Sequence, residues 1–244
     1  MDKISKIHFV GIGGIGVSAL ARYYLNLGWK VSGSDLKASE ITESLQKIGA
    51  IIDIGSSNLN SLMPDIVVYS TAAKKNNPEL VAARKLKMKT LSYPEALGEL
   101  TKKYKTIAIA GAHGKSTTTA MIALMMAAAK MDPTVIVGTK VKEFGNSNFR
   151  PGKSNYLVIE ACEYGRSFLN YWPQISVITN IEMDHVECYE SEAKLVAAFK
   201  EFAEHLAKSY SQPVFWSRSY CILTCGGALL SVIKQYIEQQ AGVD

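Results

Sequence analysis

The stretch Ile7-His8-Phe9-Val10-Gly11-Ile12-Gly13-Gly14-Ile15-Gly16 decides the fold. Residues 7–10 read as a buried strand. They run into a turn of the form G-x-G-x-x-G, and residues 14–27 continue with helical periodicity. In a strand–turn–helix of this kind the first glycine makes the tight turn. The second lets backbone approach a pyrophosphate, and the third lets helix and strand pack closely. The helix start then offers unpaired N–H groups to an anion. Asp35 falls 19 residues after Gly16, at the end of the next strand, where an acidic side chain can reach ribose hydroxyls. By itself the loop suits a nicotinamide dinucleotide as well as a UDP-sugar, since both carry a pyrophosphate and a ribose.

Outward from this loop the chain alternates apolar runs with amphipathic stretches, the pattern of an α/β fold. Strands are expected at 7–10, 30–33, 51–54 and 66–70, and helices at 14–27, 40–48 and 94–103, the last capped by Ser92. A second block begins with a strand at 105–110 and a helix at 115–130. Strands at 134–137, 156–160 and 175–179 and a helix at 191–208 follow, with 145–154 read as loop. The expected architecture is a Rossmann-like domain over residues 1–100. A P-loop domain with a mainly parallel sheet then covers 101–244, the boundary lying near 97–105.

The second block opens on Gly111-Ala112-His113-Gly114-Lys115-Ser116, again between a strand and a helix. Ile109 stands where the full Walker A form would have its first glycine, so this is a shorter G-x-x-G-K-S loop. Its chemistry is intact. Backbone N–H groups can curl round phosphates, Lys115 can meet the β/γ oxygens, and the Ser116 hydroxyl can bind Mg²⁺. Thr117 extends the polar first turn. A γ-phosphate site of this kind argues for ATP or GTP and against a simple dehydrogenase.

Bulk properties exclude several classes. The 244 residues are 48% hydrophobic and 20% charged, with net charge +5, an ordinary globular balance. The longest basic run, Lys102-Lys103-Tyr104-Lys105, is too short for a nucleic-acid stripe and reads as solvated surface. No apolar run reaches the ~18 residues of a membrane span, and no signal peptide precedes the first strand. Cys162, Cys188, Cys221 and Cys225 form no C-x-x-C pair and read as free thiols of a cytoplasmic protein.

Four motifs in fixed order resemble the Mur ligase family: residues 7–16, residues 110–119, Glu160-Ala161-Cys162-Glu163-Tyr164, and Thr179-Asn180-Ile181-Glu182-Met183-Asp184-His185. The resemblance runs from about residue 4 to 206. It implies a three-domain ATP-dependent ligase of peptidoglycan synthesis, using ATP and Mg²⁺ and, for the nearest pattern, joining L-alanine to UDP-N-acetylmuramate. By the same resemblance Gly13, Gly14, Ile15 and Gly16 hold the UDP diphosphate. Asp35, Ser70 and Thr71 line the UDP site, and Asn146 stands near the reacting phosphates. The ATP loop is Gly111, Ala112, His113, Gly114, Lys115, Ser116 and Thr117. Lys115, Glu160 and His185 are the expected catalytic group, with Ser116, Glu160 and His185 at the metal. Past residue 206 the resemblance fades, and the chain reads as a truncated version with the third domain absent. The apolar tail 209–244 is expected to cover part of the sheet left open. Three alternatives stand beside the ligase: a non-catalytic module that binds UDP-sugar and ATP, a relative that adds a tripeptide to the same sugar, and an NAD-dependent oxidoreductase.

Overall fold

A computed structural model describes residues 5–183 and 188–207. These residues fall within one compact unit, built on two five-stranded sheets. The first sheet takes β1 (Lys6–Val10), β2 (Lys30–Asp35), β3 (Ile51–Ile54), β4 (Ile66–Tyr69) and β5 (Lys89–Ser92) in the order β3-β2-β1-β4-β5. Every pairing in it is parallel. Helices α1 (Ile15–Asn26), α2 (Glu40–Lys47), α3 (Leu59–Leu62) and α4 (Pro78–Lys85) make the crossovers, and α5 (Tyr93–Thr101) leads out. The strand order reverses at β1, between β2 and β4. A crevice opens there at the carboxyl ends of the strands, the place where ligands bind in open α/β sheets. The glycine loop sits at that point.

The second sheet has the order β10-β6-β9-β7-β8. Its strands are β6 (Lys105–Ala110), β7 (Thr134–Val141), β8 (Ser147–Arg150), β9 (Tyr156–Glu160) and β10 (Ile175–Ile178), with helices α6 (Lys115–Ala128) and α7 (Glu192–Ala207). All pairings are parallel except β7 with β8.

Local chemistry sets the helix starts. Ser39 and Ser92 each form a capping box, with Thr42 and Glu95 respectively. Asn77 accepts from the N–H groups of Glu79 and Leu80, with Pro78 opening α4. The central strands are buried on both faces, as parallel strands covered by helices must be. One buried cluster runs through both sheets, from Phe9 and Leu20 to Phe149, Ile159 and Phe202.

Two expectations change. Residues 147–150, read as loop, form β8 antiparallel to β7. The sequence reading assigns no element to 55–65 or 71–93, yet α3, α4 and β5 lie there. Both missed strands are sheet edges. An edge strand needs no continuous apolar run, so Lys-Thr-Leu-Ser and Ser-Asn-Phe-Arg give no periodic signal. The tail 209–244 lies outside the described residues.

Candidate functional site

The first loop is held by its neighbours on both sides. Gly11 and Ile12 donate their N–H groups to the Ser34 carbonyl at 2.8 and 3.0 Å, and Ser70 donates to the Val10 carbonyl at 2.9 Å. Ser70 thus stands against Gly11: a Cβ added to Gly11 would lie 2.9 Å from the Ser70 Cβ. Thr71 follows, exposed to solvent. Asp35 lies at the end of β2 against the glycine turn. Its Oδ2 accepts from the Gly13 N–H at 2.8 Å, so the carboxylate stiffens the turn. Gly14 donates back to the Gly11 carbonyl at 3.1 Å. The first intrahelical bond of α1 is Ser18 N–H to the Gly14 carbonyl at 2.8 Å. The N–H groups of Ile15, Gly16 and Val17, ahead of it, are therefore the donors left for an anion.

The second loop is clasped from β10. The Thr179 hydroxyl donates to the His113 carbonyl at 2.6 Å, and the Asn180 side-chain oxygen accepts from the His113 N–H at 2.9 Å. Gly111 adopts φ +137°, and a Cβ there would come within 2.1 Å of the Thr179 hydroxyl, so only glycine fits. The sequence reading quotes Thr179 and Asn180 in a motif but gives them no task. Their task is to shape the loop.

Four side chains converge at the start of α6. Lys115 Nζ donates to the carbonyls of Gly111 at 2.5 Å and Ala112 at 3.1 Å, and to Glu163 Oε1 at 3.0 Å. At the end of β9, Glu160 lies close enough to the Ser116 hydroxyl and the Gly138 N–H for both to favour its charged form. Gly138 makes room for it, since a Cβ there would be 2.2 Å from Glu160 Oε2. Burial raises the Glu160 carboxyl above its ordinary value and Glu163 adds to the rise; Ser116, Gly138 and Lys115 offset this only in part. Glu160 Oε1 is buried with no hydrogen-bond partner. An orphaned carboxylate oxygen beside a serine hydroxyl is a donor pair that fits a hard cation. Among the described residues no group of three or more His, Cys, Asp or Glu could hold a metal. Mg²⁺ is commonly held by one or two protein oxygens together with phosphates and water. His185 lies outside the described residues. Thr117 is half-buried in the first turn of α6.

Strand β8 of the second sheet is tied to the start of α1 by a residue the sequence reading passed over. Asn148, 3% exposed, donates from Nδ2 to the Ile15 carbonyl at 2.5 Å and to the Ser18 hydroxyl at 2.9 Å. Asn146, the residue expected near the phosphates, is exposed, at φ +55° in the hairpin before β8. Tyr93 makes a second bridge. Its ring packs where a Gly16 Cβ would stand, 2.7 Å away, and burial with the nearby charges of Glu160 and Cys162 raises its phenol well above the ordinary value.

Known proteins align with both halves. Residues 6–105 match the Mur ligase family, catalytic domain, and residues 109–219 match the Mur ligase middle domain. A UDP-N-acetylmuramate–L-alanine ligase from Alkaliphilus metalliredigens is 43% identical over 84% of this chain and 45% of its own length. One from Geotalea daltonii is 46% identical over 82% of this chain and 43% of its own length. The chain therefore spans about half the length of the curated relatives it matches. Among solved structures, UDP-N-acetylmuramate-alanine ligase from Thermotoga maritima superposes with TM-score 0.75 at 33% identity, covering 82% of this chain and 47% of that one. The UDP-N-acetylmuramate:L-alanyl-gamma-D-glutamyl-meso-diaminopimelate ligase from Neisseria meningitides gives 0.77 at 26% identity, covering 84% and 69%. With two phosphate loops on two sheets, and family matches over nearly the whole described chain, this protein belongs to the Mur ligase family.

Proposed function

We propose that this chain carries the UDP-sugar site and the ATP site of a cytoplasmic ligase that joins L-alanine to UDP-N-acetylmuramate in peptidoglycan synthesis. One observation carries the reading. Lys115 and Ser116 at the start of α6 meet Glu160 and Glu163 from the end of β9, beside a first loop that offers an anion only backbone N–H groups. A hydride-transfer enzyme has no use for that second cluster. The L-alanine assignment rests on the names of relatives 43 and 46% identical, against 26% for the peptide-adding ligase.

In this reading a carboxylate oxygen of the muramic acid attacks the γ-phosphorus of ATP, and ADP leaves. The acyl phosphate so formed is attacked at carbon by the amine of L-alanine; phosphate leaves and the amine gives up a proton. The first step brings negative groups together, and fixed cations are what lower its barrier. Lys115 supplies one such charge. Ser116 and Glu160 would hold Mg²⁺, which neutralises charge on the phosphates when bound. The N–H groups of Lys115, Ser116 and Thr117, ahead of the first intrahelical bond at Thr118, face the triphosphate. Those of Ile15, Gly16 and Val17 hold the diphosphate of the sugar nucleotide. Asp35 braces the turn through the Gly13 N–H. Asn148 ties β8 to the first turn of α1, and Tyr93 packs against Gly16.

Calorimetric titration with UDP-N-acetylmuramate, then with ATP and Mg²⁺, with NADH as control, tests the proposal. Heat from the UDP-sugar and none from NADH sustains it. Heat from NADH and none from the UDP-sugar sinks it in favour of an oxidoreductase.

A further inference from the structure

The Lys115–Glu163 pair does more than fill space. Lys115 is 16% exposed and Glu163 only 2%, so the pair is shielded from salt and water. Glu163 is itself pinned. Its backbone carbonyl accepts from the Tyr189 hydroxyl at 2.6 Å and from the Arg166 N–H at 2.8 Å. Lys115 Nζ, with three donors, spends them on Gly111, Ala112 and Glu163. In that posture the ammonium folds back onto its own loop, with every donor taken before any phosphate arrives.

We propose that Glu163 is a positioning residue that latches Lys115 in the nucleotide-free loop and competes with the terminal phosphates of a nucleoside triphosphate for it. The inference rests on the ATP reading given above. The physical basis is population. A ligand that needs Lys115 released binds with an affinity reduced by the fraction of molecules in which the latch is open. Neutralising Glu163 removes the competitor and leaves Lys115 without its carboxylate, so the next anion to enter is held harder. A carboxylate that instead served as a metal ligand would have the opposite effect, and only when metal is present.

The test measures ATP affinity of the full chain by calorimetry, once with EDTA and once with Mg²⁺. The variants are Glu163→Gln, Glu163→Asp and Lys115→Ala. The latch predicts that Glu163→Gln tightens metal-free ATP binding by about tenfold, the size of effect expected when a competitor occupies nine molecules in ten. Glu163→Asp, which keeps the charge but shortens the reach, moves the same way by less, and covers the case in which the glutamine variant does not fold. A Glu163→Gln affinity that is unchanged or weaker in EDTA overturns the latch, and a loss confined to Mg²⁺ makes Glu163 a metal ligand instead. If Lys115→Ala leaves ATP binding unchanged, the ATP reading itself fails; if Lys115→Ala abolishes binding while both Glu163 variants match the parent, only the latch fails.

Discussion

Two buried carboxylates, one behind each phosphate loop, end with their acidities moved in opposite directions. Glu79, 1% exposed at the start of α4, has burial against it, but donors outweigh burial and hold its carboxyl below the ordinary value. His8 Nε2 donates at 3.0 Å, the Ser34 hydroxyl at 2.5 Å and the Ser57 N–H at 2.9 Å, while His8 Nδ1 meets the Ser32 hydroxyl at 2.9 Å. Glu160 has fewer donors, keeps one oxygen without a partner, and is raised. A carboxylate given all its hydrogen bonds is a fastening. One left short of them in a phosphate loop is a place for a ligand. The first sheet spends its buried charge on holding its shape; the second keeps part of its charge uncommitted.

That contrast breaks first at Lys115. Lys115→Ala should weaken ATP binding by about 100-fold, the loss expected when one partner of a desolvated charge pair is removed. UDP-N-acetylmuramate binding should stay within twofold or so of the parent, since the first loop binds through backbone. Equal losses for both ligands in calorimetry would mean that the two loops form one site. Glu79→Gln comes next. It removes a charge from a fully hydrogen-bonded buried network and should cost about 2 kcal/mol of stability. Because the folded carboxyl is depressed, its contribution is present above the unfolded value of 4.5 and fades as pH falls through the folded one. Urea unfolding at pH 7 and at about pH 3 should therefore show the variant's deficit shrinking with acid. A deficit constant across that range would contradict the assignment.

The sequence made much of this legible, for reasons that differ by element. Central strands announce themselves because burial on both faces forces unbroken apolar runs such as Ile107–Ala110 and Leu157–Ile159. Edge strands β5 and β8 do not, since half their residues meet solvent. The loops were legible because glycine and lysine at fixed spacing have few other uses. Side chains that position the loops were not. Asn148 is buried beside an exposed Asn146 two residues earlier, and only tertiary packing decides which one turns inward. Asp35 has the right spacing for a ribose, but spacing cannot show that the same carboxylate also accepts from the Gly13 N–H. The pairing of Lys115 with Glu163 joins residues 48 apart in sequence, a contact no local pattern encodes.

The smaller effects test what joins the two regions. Asn148→Ala removes the donor that links β8 to the Ile15 carbonyl and the Ser18 hydroxyl, and should cost about 1 kcal/mol. It should also loosen UDP-sugar binding, because Ile15 carries one of the donors left for the diphosphate. Lys140→Ala removes a solvent-exposed polar link between the halves, the ion pair with Glu40 at 2.9 Å. Lys140 is 47% exposed and Glu40 87%, so solvent and salt screen the pair. Its loss should leave the unfolding temperature and both ligand affinities where they were. If Lys140→Ala instead lowered the unfolding temperature as much as Asn148→Ala, the halves would be joined by surface charge rather than by the buried amide, and adding salt to the parent protein should then reproduce the loss.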